Sequence, residues 1–325
     1  MPAVRELMGR VGPAVADAAK GADLLLTSVT STHFGYHVAE AMGIPSAGLY
    51  VAPVEPTGDF PPLLADLRSF GRWGNRAMGR LAATQVQAGY FKHINTLRRD
   101  MGLRPTTVRE TLRRQREQQF PVLHGYSERL APRPADWRPG LELTGFWWPH
   151  RDPDWQPSRE LQAFLDGGPP PVFVGFGSVT AARGSIAVEA LRNAGVRGVL
   201  SGFEAEGDDM FTIGDTPFDW LFPRMAALVH HAGAGTTALG LRAGVPVVAV
   251  PGIADQFYWA NRLAALGLTP DVMRQKQLDV DRLAKAIRRA IDDPSYRART
   301  QEIGAAIAAE DSAQPVLDLV RELRP

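Results

Sequence analysis

The stretch Asp219-Trp-Leu-Phe-Pro-Arg-Met-Ala-Ala-Leu-Val-His230-His231-Ala-Gly233-Ala-Gly235-Thr236-Thr237-Ala238 decides how the chain is read. Within it, Ala226–His230 is a short, bounded apolar run, the mark of a buried strand. Thr236–Ala243 carries a helical period, and two glycines separate strand from helix. A strand feeding a helix through so short a turn is half of a βαβ unit. The flanks extend the alternation. Val245–Val250 reads as the next strand and Ala254–Leu266 as the next helix, closed by Gly267. Upstream, Pro171–Phe176 is strand, Ile186–Ala194 helix and Gly198–Leu200 strand. Downstream, Asp279–Ile291, Pro294–Ala309 and Val316–Leu323 read as helices.

The first half repeats the pattern. A helix leads into the strand Ala22–Val29; His33–Met42 is a helix stopped by Gly43, and Ser46–Val51 is a strand. Pro53–Pro62 holds four prolines and is an irregular loop. Leu63–Met101 is mostly helical, with breaks expected at Gly71, Gly74, Gly79 and Gly89. Val122–Gly125 and Leu141–Thr144 are short strands. Trp147–Pro171, rich in Pro, Trp, Asp and Gly around one short helix at Glu160–Leu165, reads as a linker. At 325 residues the chain exceeds the roughly 250–300 that one core sustains. The class is α/β, with two doubly wound domains at 1–150 and 151–312 and a terminal helix at 313–325.

Composition removes several functions. Thirty-six Lys+Arg against 35 Asp+Glu leave a net charge of +1, so no basic excess marks a nucleic-acid binder. The absence of cysteine excludes disulfides, thiol catalysis and zinc-thiolate sites, and fits a reducing, cytoplasmic location. No run of about 18 uncharged apolar residues would span a membrane.

The chemistry concentrates on three strand-to-helix turns. In His230–Thr237, Gly233 and Gly235 let a ligand approach the backbone, and the amides of Gly235–Thr237 open a helix. Such a terminus holds anions, phosphate above all. His231 adds a donor; adjacent strand residues point to opposite faces, so His231 is expected in the cleft and His230 in the sheet packing. Gly175-Phe176-Gly177-Ser178 is a second such turn, and two suit a diphosphate. The third, Pro251–Gln256, ends in Asp255 and Gln256, acceptors and an amide suited to sugar hydroxyls. Each turn alone is ordinary βα geometry, and Asp255 alone would serve as an N-cap; their conjunction points to a nucleotide-diphospho-sugar. Gly233-x-Gly235-x-x-Ala238 also fits the dinucleotide fingerprint, with Asp255 about 20 residues on. A ribose acid, however, should end the next strand directly, and Pro251 and Gly252 intervene. Asp152-Pro-Asp154 and Asp279-Val-Asp281 resemble metal-binding Asp-x-Asp pairs, but one lies in the linker and the other at a helix start.

These residues resemble the donor motif of the UDP-glycosyltransferases, near their bacterial natural-product and sterol glucosyltransferase branch. Gly240-Leu-Arg-Ala-Gly-Val-Pro246 and Asp255-Gln256 continue the likeness. So do Gly125-Tyr-Ser127, Pro132-Arg-Pro134-Ala-Asp-Trp137, Thr144-Gly-Phe-Trp147, His37–Pro45 and Pro56–Pro61. The resemblance implies the GT-B fold, two Rossmann-like domains facing a cleft, and the terminal helix crossing back to the first. It implies that Gly177, Ser178, His231, Gly233, Gly235, Thr236 and Thr237 hold the diphosphate, that Asp255 and Gln256 bind the sugar, and that Pro217 and Phe218 meet the base. His33, Thr57 and Asp59 are candidates for the acceptor wall. The implied reaction moves a hexose from UDP-glucose or a dTDP-sugar to a hydroxyl of a lipophilic sterol or natural-product aglycone, with inversion, without metal or further cofactor. Roughly the first 80–100 residues of the family pattern, including the catalytic base, have no counterpart here, so the first domain is expected to be incomplete. A non-catalytic, sugar-nucleotide-binding remnant is the alternative expectation.

Overall fold

The computed structural model describes residues 2–63, 68–177 and 181–323. It contains two parallel sheets. The first holds β1 (Leu25–Thr27), β2 (Ser46–Tyr50), β3 (Val122–His124) and β4 (Leu141–Leu143), in chain order. The second holds β5 (Val172–Gly175), β6 (Gly198–Ser201), β7 (Met210–Ile213), β8 (Ala227–His230) and β9 (Val247–Ala249), in the order β7-β6-β5-β8-β9. The chain thus leaves β5 toward one edge and returns on the other side of it as β8. That reversal opens a crevice at the carboxyl ends of β5 and β8, the usual ligand position in such sheets.

The helices in order are α1 (Pro2–Ala18), α2 (Thr32–Met42), α3 (Gly71–Asp100), α4 (Val108–Glu117), α5 (Arg159–Asp166), α6 (Ala181–Asn193), α7 (Phe218–Leu221), α8 (Ala234–Arg242), α9 (Gln256–Ala265), α10 (Val280–Asp292), α11 (Pro294–Ala308) and α12 (Gln314–Leu323). Most expected elements recur within a few residues. Two differences have clear causes. Of the glycines expected to break Leu63–Met101, Gly74, Gly79 and Gly89 do not: α3 is one 30-residue helix beginning at Gly71. Gly71 marks its start at φ 71°, while a Cβ on Gly74 or Gly79 would crowd Phe70 or Pro56 at 2.6 and 3.1 Å. Those two serve close packing. The second difference is α4, almost wholly polar and without an apolar stripe; its start is fixed by Thr107, whose hydroxyl accepts from the Glu110 amide at 3.1 Å.

One apolar core runs continuously from the first sheet (Val122, Tyr126, Trp137, Leu141) into the second (Phe173, Leu228, Trp259, Leu263). A second core, with Val174, Val229 and Ile287, backs the other face of the second sheet. Helix α9 is the main bridge between the halves. Tyr258 packs on Phe60 at 4.8 Å, Trp259 on Tyr126 at 5.3 Å, and Arg262 Nε donates to the Leu130 carbonyl at 2.9 Å. Just before α12, the Glu310 carboxylate accepts from the buried Ser127 hydroxyl at 2.6 Å. No described helix is long and apolar enough to cross a membrane.

Candidate functional site

Strand β8 ends in two histidines whose side chains part. His230 is wholly buried, and its Nδ1 accepts from the Ala232 amide at 3.0 Å. That bond holds Ala232 at φ 58°, a left-handed conformation costly for a residue with a Cβ, so His230 braces the turn. Burial pushes its pKa down to about 3, and the ring is neutral. His231 turns the other way and is half-buried at the crevice. Burial lowers its pKa as well, opposed by the Gly175 carbonyl and the Asp255 carboxylate. Its Nδ1 is buried without a hydrogen-bond partner among the described residues; the β5 and β8 turns meet at this ring, and Asp255 of the β9 turn acts on it through its charge.

The β5 turn reaches the same point. Gly177 takes φ 70°, and a Cβ built on it would stand 3.4 Å from His231 Cε1. Ser178 lies outside the described residues. On the other side of the ring, Gly233 is the N-cap of α8 at φ −66°, ψ 146°, and no side chain caps that end. A Cβ on Gly233 would stand 2.6 Å from His231 Nε2, so only glycine admits the ring this close to the helix. The amides of the first turn therefore face the crevice beside an imidazole. Gly235 is exposed and Thr236 half-exposed there. Thr237 differs from the expectation: the helix period carries it into the packing, wholly buried, its hydroxyl without a partner among the described residues.

The β9 turn is built more tightly than its sequence suggests. Gln256 Oε1 accepts from the amides of Gly252 and Ile253 at 2.9 and 3.1 Å, closing its own loop. Only its amide nitrogen is left to face a ligand. Asp255 makes no side-chain cap for α9; its Oδ2 accepts from the Trp259 indole at 3.0 Å, one turn along. It stands six residues beyond the end of β9, not on the strand end where a ribose-binding acid belongs. Pro217 is the N-cap of α7, and the half-buried Phe218 ring packs on Phe173 and Phe222.

The first half holds a separate cavity of about 460 Å³ beside the carboxyl end of β2. His33 and Thr57 line it. His33 Nδ1 pairs with Gln87 Oε1 at 2.6 Å while its ring stacks on Tyr90 at 4.6 Å, and burial lowers its pKa. Thr57 donates to Asp136 at 2.6 Å. Asp59 does not line the cavity; its two oxygens bind Arg72 and the Ala135 amide, tying down the proline-rich loop. Glu55, Gln87 and Trp137 line the cavity without having been singled out from sequence. Glu55 could have been, as the acidic residue beside Pro56 in that loop; Gln87 and Trp137 come from distant segments. The Asp-x-Asp pairs are structural: Asp152 accepts from the Asp154 amide at 2.9 Å, and Asp279 caps α10. Trp147 packs over Gly125, and Trp148 lies under Arg242 at 4.4 Å.

Comparison with known proteins gives this geometry its context. Residues 200–323 match the family described as erythromycin biosynthesis protein CIII-like, C-terminal domain. The chain is 32% identical over 296 residues to a sterol 3-beta-glucosyltransferase of Arabidopsis thaliana, covering 87% of this chain and 47% of that protein. It is 32% identical over 352 residues to the O-mycaminosyltylonolide 6-deoxyallosyltransferase of Streptomyces fradiae, covering 99% of this chain and 80% of that protein. The chain thus spans about half the length of the plant sterol enzyme and most of the bacterial one. Among solved structures, the glycosyltransferase of kitacinnamycin superposes with a TM-score of 0.72 at 18% identity, covering 98% of this chain and 80% of that one. Glycosyltransferase VinC, solved in complex with dTDP, gives 0.65 at 23% identity, covering 98% and 77%. The chain is a member of the UDP-glycosyltransferase family, with its GT-B fold.

Proposed function

We propose that this chain acts in the transfer of a hexose from a nucleotide-diphospho-sugar, UDP-glucose or a dTDP-sugar, to a hydroxyl of a lipophilic acceptor. The observation that carries the reading is the meeting of the β5 and β8 turns at His231, under the charge of Asp255, beside an α8 N-terminus that no side chain caps. A diphosphate suits that point. The amides at Gly235 and Thr236 meet its oxygens along the helix dipole, Gly177 and Gly233 leave it room, and His231 gives one hydrogen bond from a neutral ring. Ser178, which follows Gly177 in sequence, remains a candidate ligand of the diphosphate. Asp255 and the free amide of Gln256 suit sugar hydroxyls, with Asp255 held in place by Trp259.

The acceptor hydroxyl gives its proton to a general base as its oxygen bonds to the anomeric carbon from the face opposite the diphosphate; the bond from that carbon to the diphosphate oxygen breaks, and the configuration inverts. Negative charge grows on the departing diphosphate, where the helix terminus and His231 stabilise it without reorganising. Such a device needs neither metal nor cofactor beyond the sugar nucleotide. The lipophilic acceptor fits the cavity under the proline-rich loop, whose 460 Å³ is in the ordinary range for a small-molecule pocket. The relatives that act on sterols and on a macrolide-type aglycone, by their names, support that class. Isothermal titration with UDP, dTDP and UDP-glucose tests the donor half; absence of heat with all three refutes it.

A further inference from the structure

The acceptor cavity carries charged groups whose partners can be followed one by one. Asp136 is saturated by Thr57, the Gly58 amide and Arg76, at 2.6, 2.9 and 3.3 Å. His33 is committed to Gln87 and Tyr90. Arg138 donates to the carbonyls of Phe120 and Pro139, and Arg116 to that of Leu112. Glu55 is different. It lines the cavity, and its carboxyl makes no hydrogen bond or ion pair with any described residue. Burial raises its pKa, with Arg138 pulling it back. By accessible surface Glu55 is only half-buried; a partly desolvated carboxyl without a protein donor is poised to accept one from a ligand in the cavity.

The surrounding charges select the donor. Arg80, Arg116 and Arg138 share the wall, so an ammonium group would enter a field of its own sign. A hydroxyl carries no such penalty and binds Glu55 in either protonation state. One wall of the cavity abuts the second half: Phe60, which lines it, packs on Tyr258, two residues after Gln256.

We propose that Glu55 is the specificity residue of the acceptor pocket, accepting a hydrogen bond from a hydroxyl of a neutral lipophile. This rests on the cavity being the acceptor site, as proposed above. The test uses a matched trio of rigid probes: biphenyl-4-ylmethanol, its methyl ether, and biphenyl-4-ylmethylamine. Binding to the full chain is followed through quenching of tryptophan emission, since Trp137 lines the cavity. The wild type is expected to hold the alcohol about tenfold more tightly than the ether, the worth of one hydrogen bond to a carboxyl. Glu55→Ala should erase that preference, and Glu55→Gln, whose amide oxygen still accepts, should keep part of it. A preference that survives Glu55→Ala, no preference in the wild type, tighter binding of the amine, or no binding of any probe overturns the assignment. Titration of the same samples with UDP separates the two readings: nucleotide binding without alcohol selectivity removes only the role of Glu55.

Discussion

Replacing Gly233 by alanine puts a methyl group 2.6 Å from His231 Nε2, against roughly 3.5–4.0 Å for an ordinary nonbonded contact. The backbone at φ −66°, ψ 146° accepts any residue, so the change strains no dihedral. Loss of glycine as N-cap costs about 1 kcal/mol of stability or less, and the fold should survive. The ring must give way by about 1 Å, enough to break a hydrogen bond to a phosphate oxygen. Such a bond to a charged group contributes about 1.5–3 kcal/mol, so the Kd for UDP or dTDP should rise about 10- to 150-fold. His231→Ala alone should cost about 1–3 kcal/mol of the same binding. Because both changes act through one ring, the double variant should bind no worse than His231→Ala. Calorimetric titration of the three variants measures this, with urea unfolding to certify their fold. Wild-type affinity in folded Gly233→Ala, or full additivity in the double variant, would refute the assigned cradle.

Acid should destabilise the protein through its buried histidines. His124 and His230 have pKa values near 3 when folded, against an ordinary 6.5, so below 6.5 the unfolded chain binds more protons and stability falls with pH. Between pH 7.5 and 5.5 each should cost about 1.4 kcal/mol, read from urea midpoints at the two values; a flat profile would contradict their burial as neutral rings. Gly304→Ala should lose about 1–3 kcal/mol in the same assay, because its Cβ would run into the Leu241 backbone carbonyl where α11 crosses α8. Ser127→Ala should lower the melting free energy by about 1–3 kcal/mol by stripping the Glu310 carboxylate of its donor, measured by scanning calorimetry.

The turn geometry of the proposed donor side was legible because its signals are local. A strand end, two glycines and two hydroxyls occupy eight consecutive residues, His230–Thr237, and their conformations follow from short-range sterics and the helix dipole. Even the parting of His230 and His231 followed from strand alternation, and the structure bears it out. What escaped is whatever depends on an absolute phase or on distant segments. Thr237 is buried because α8 starts at Ala234 rather than at Thr236, a shift of half a turn. The Gln256 oxygen is consumed by its own loop, a closure invisible in a Pro-Gly-Ile-Ala-Asp-Gln string. The cavity wall draws on β2, α3, α4 and the Trp137 segment, which only tertiary folding brings together.

Helix α9 links the two proposed sites. Its start is set by the β9 turn, so Asp255 and Gln256 are anchored to the second sheet. One turn along, Tyr258, Trp259 and Arg262 fall on the side that meets the first half, and each finds a partner there: Phe60, Tyr126 and the Leu130 carbonyl. Trp259 does both tasks, since its indole nitrogen holds Asp255 while its ring packs on Tyr126. A helix of ten residues is stiff over its roughly 15 Å. Any shift of the first half against the second is therefore felt at Asp255, where a sugar hydroxyl is proposed to bind. The same helix packs, through Tyr258, on Phe60 in the wall of the proposed acceptor cavity. The proposed donor site, built from backbone at the sheet ends, and the proposed acceptor site, built from side chains of distant segments, are thereby joined through one rigid element.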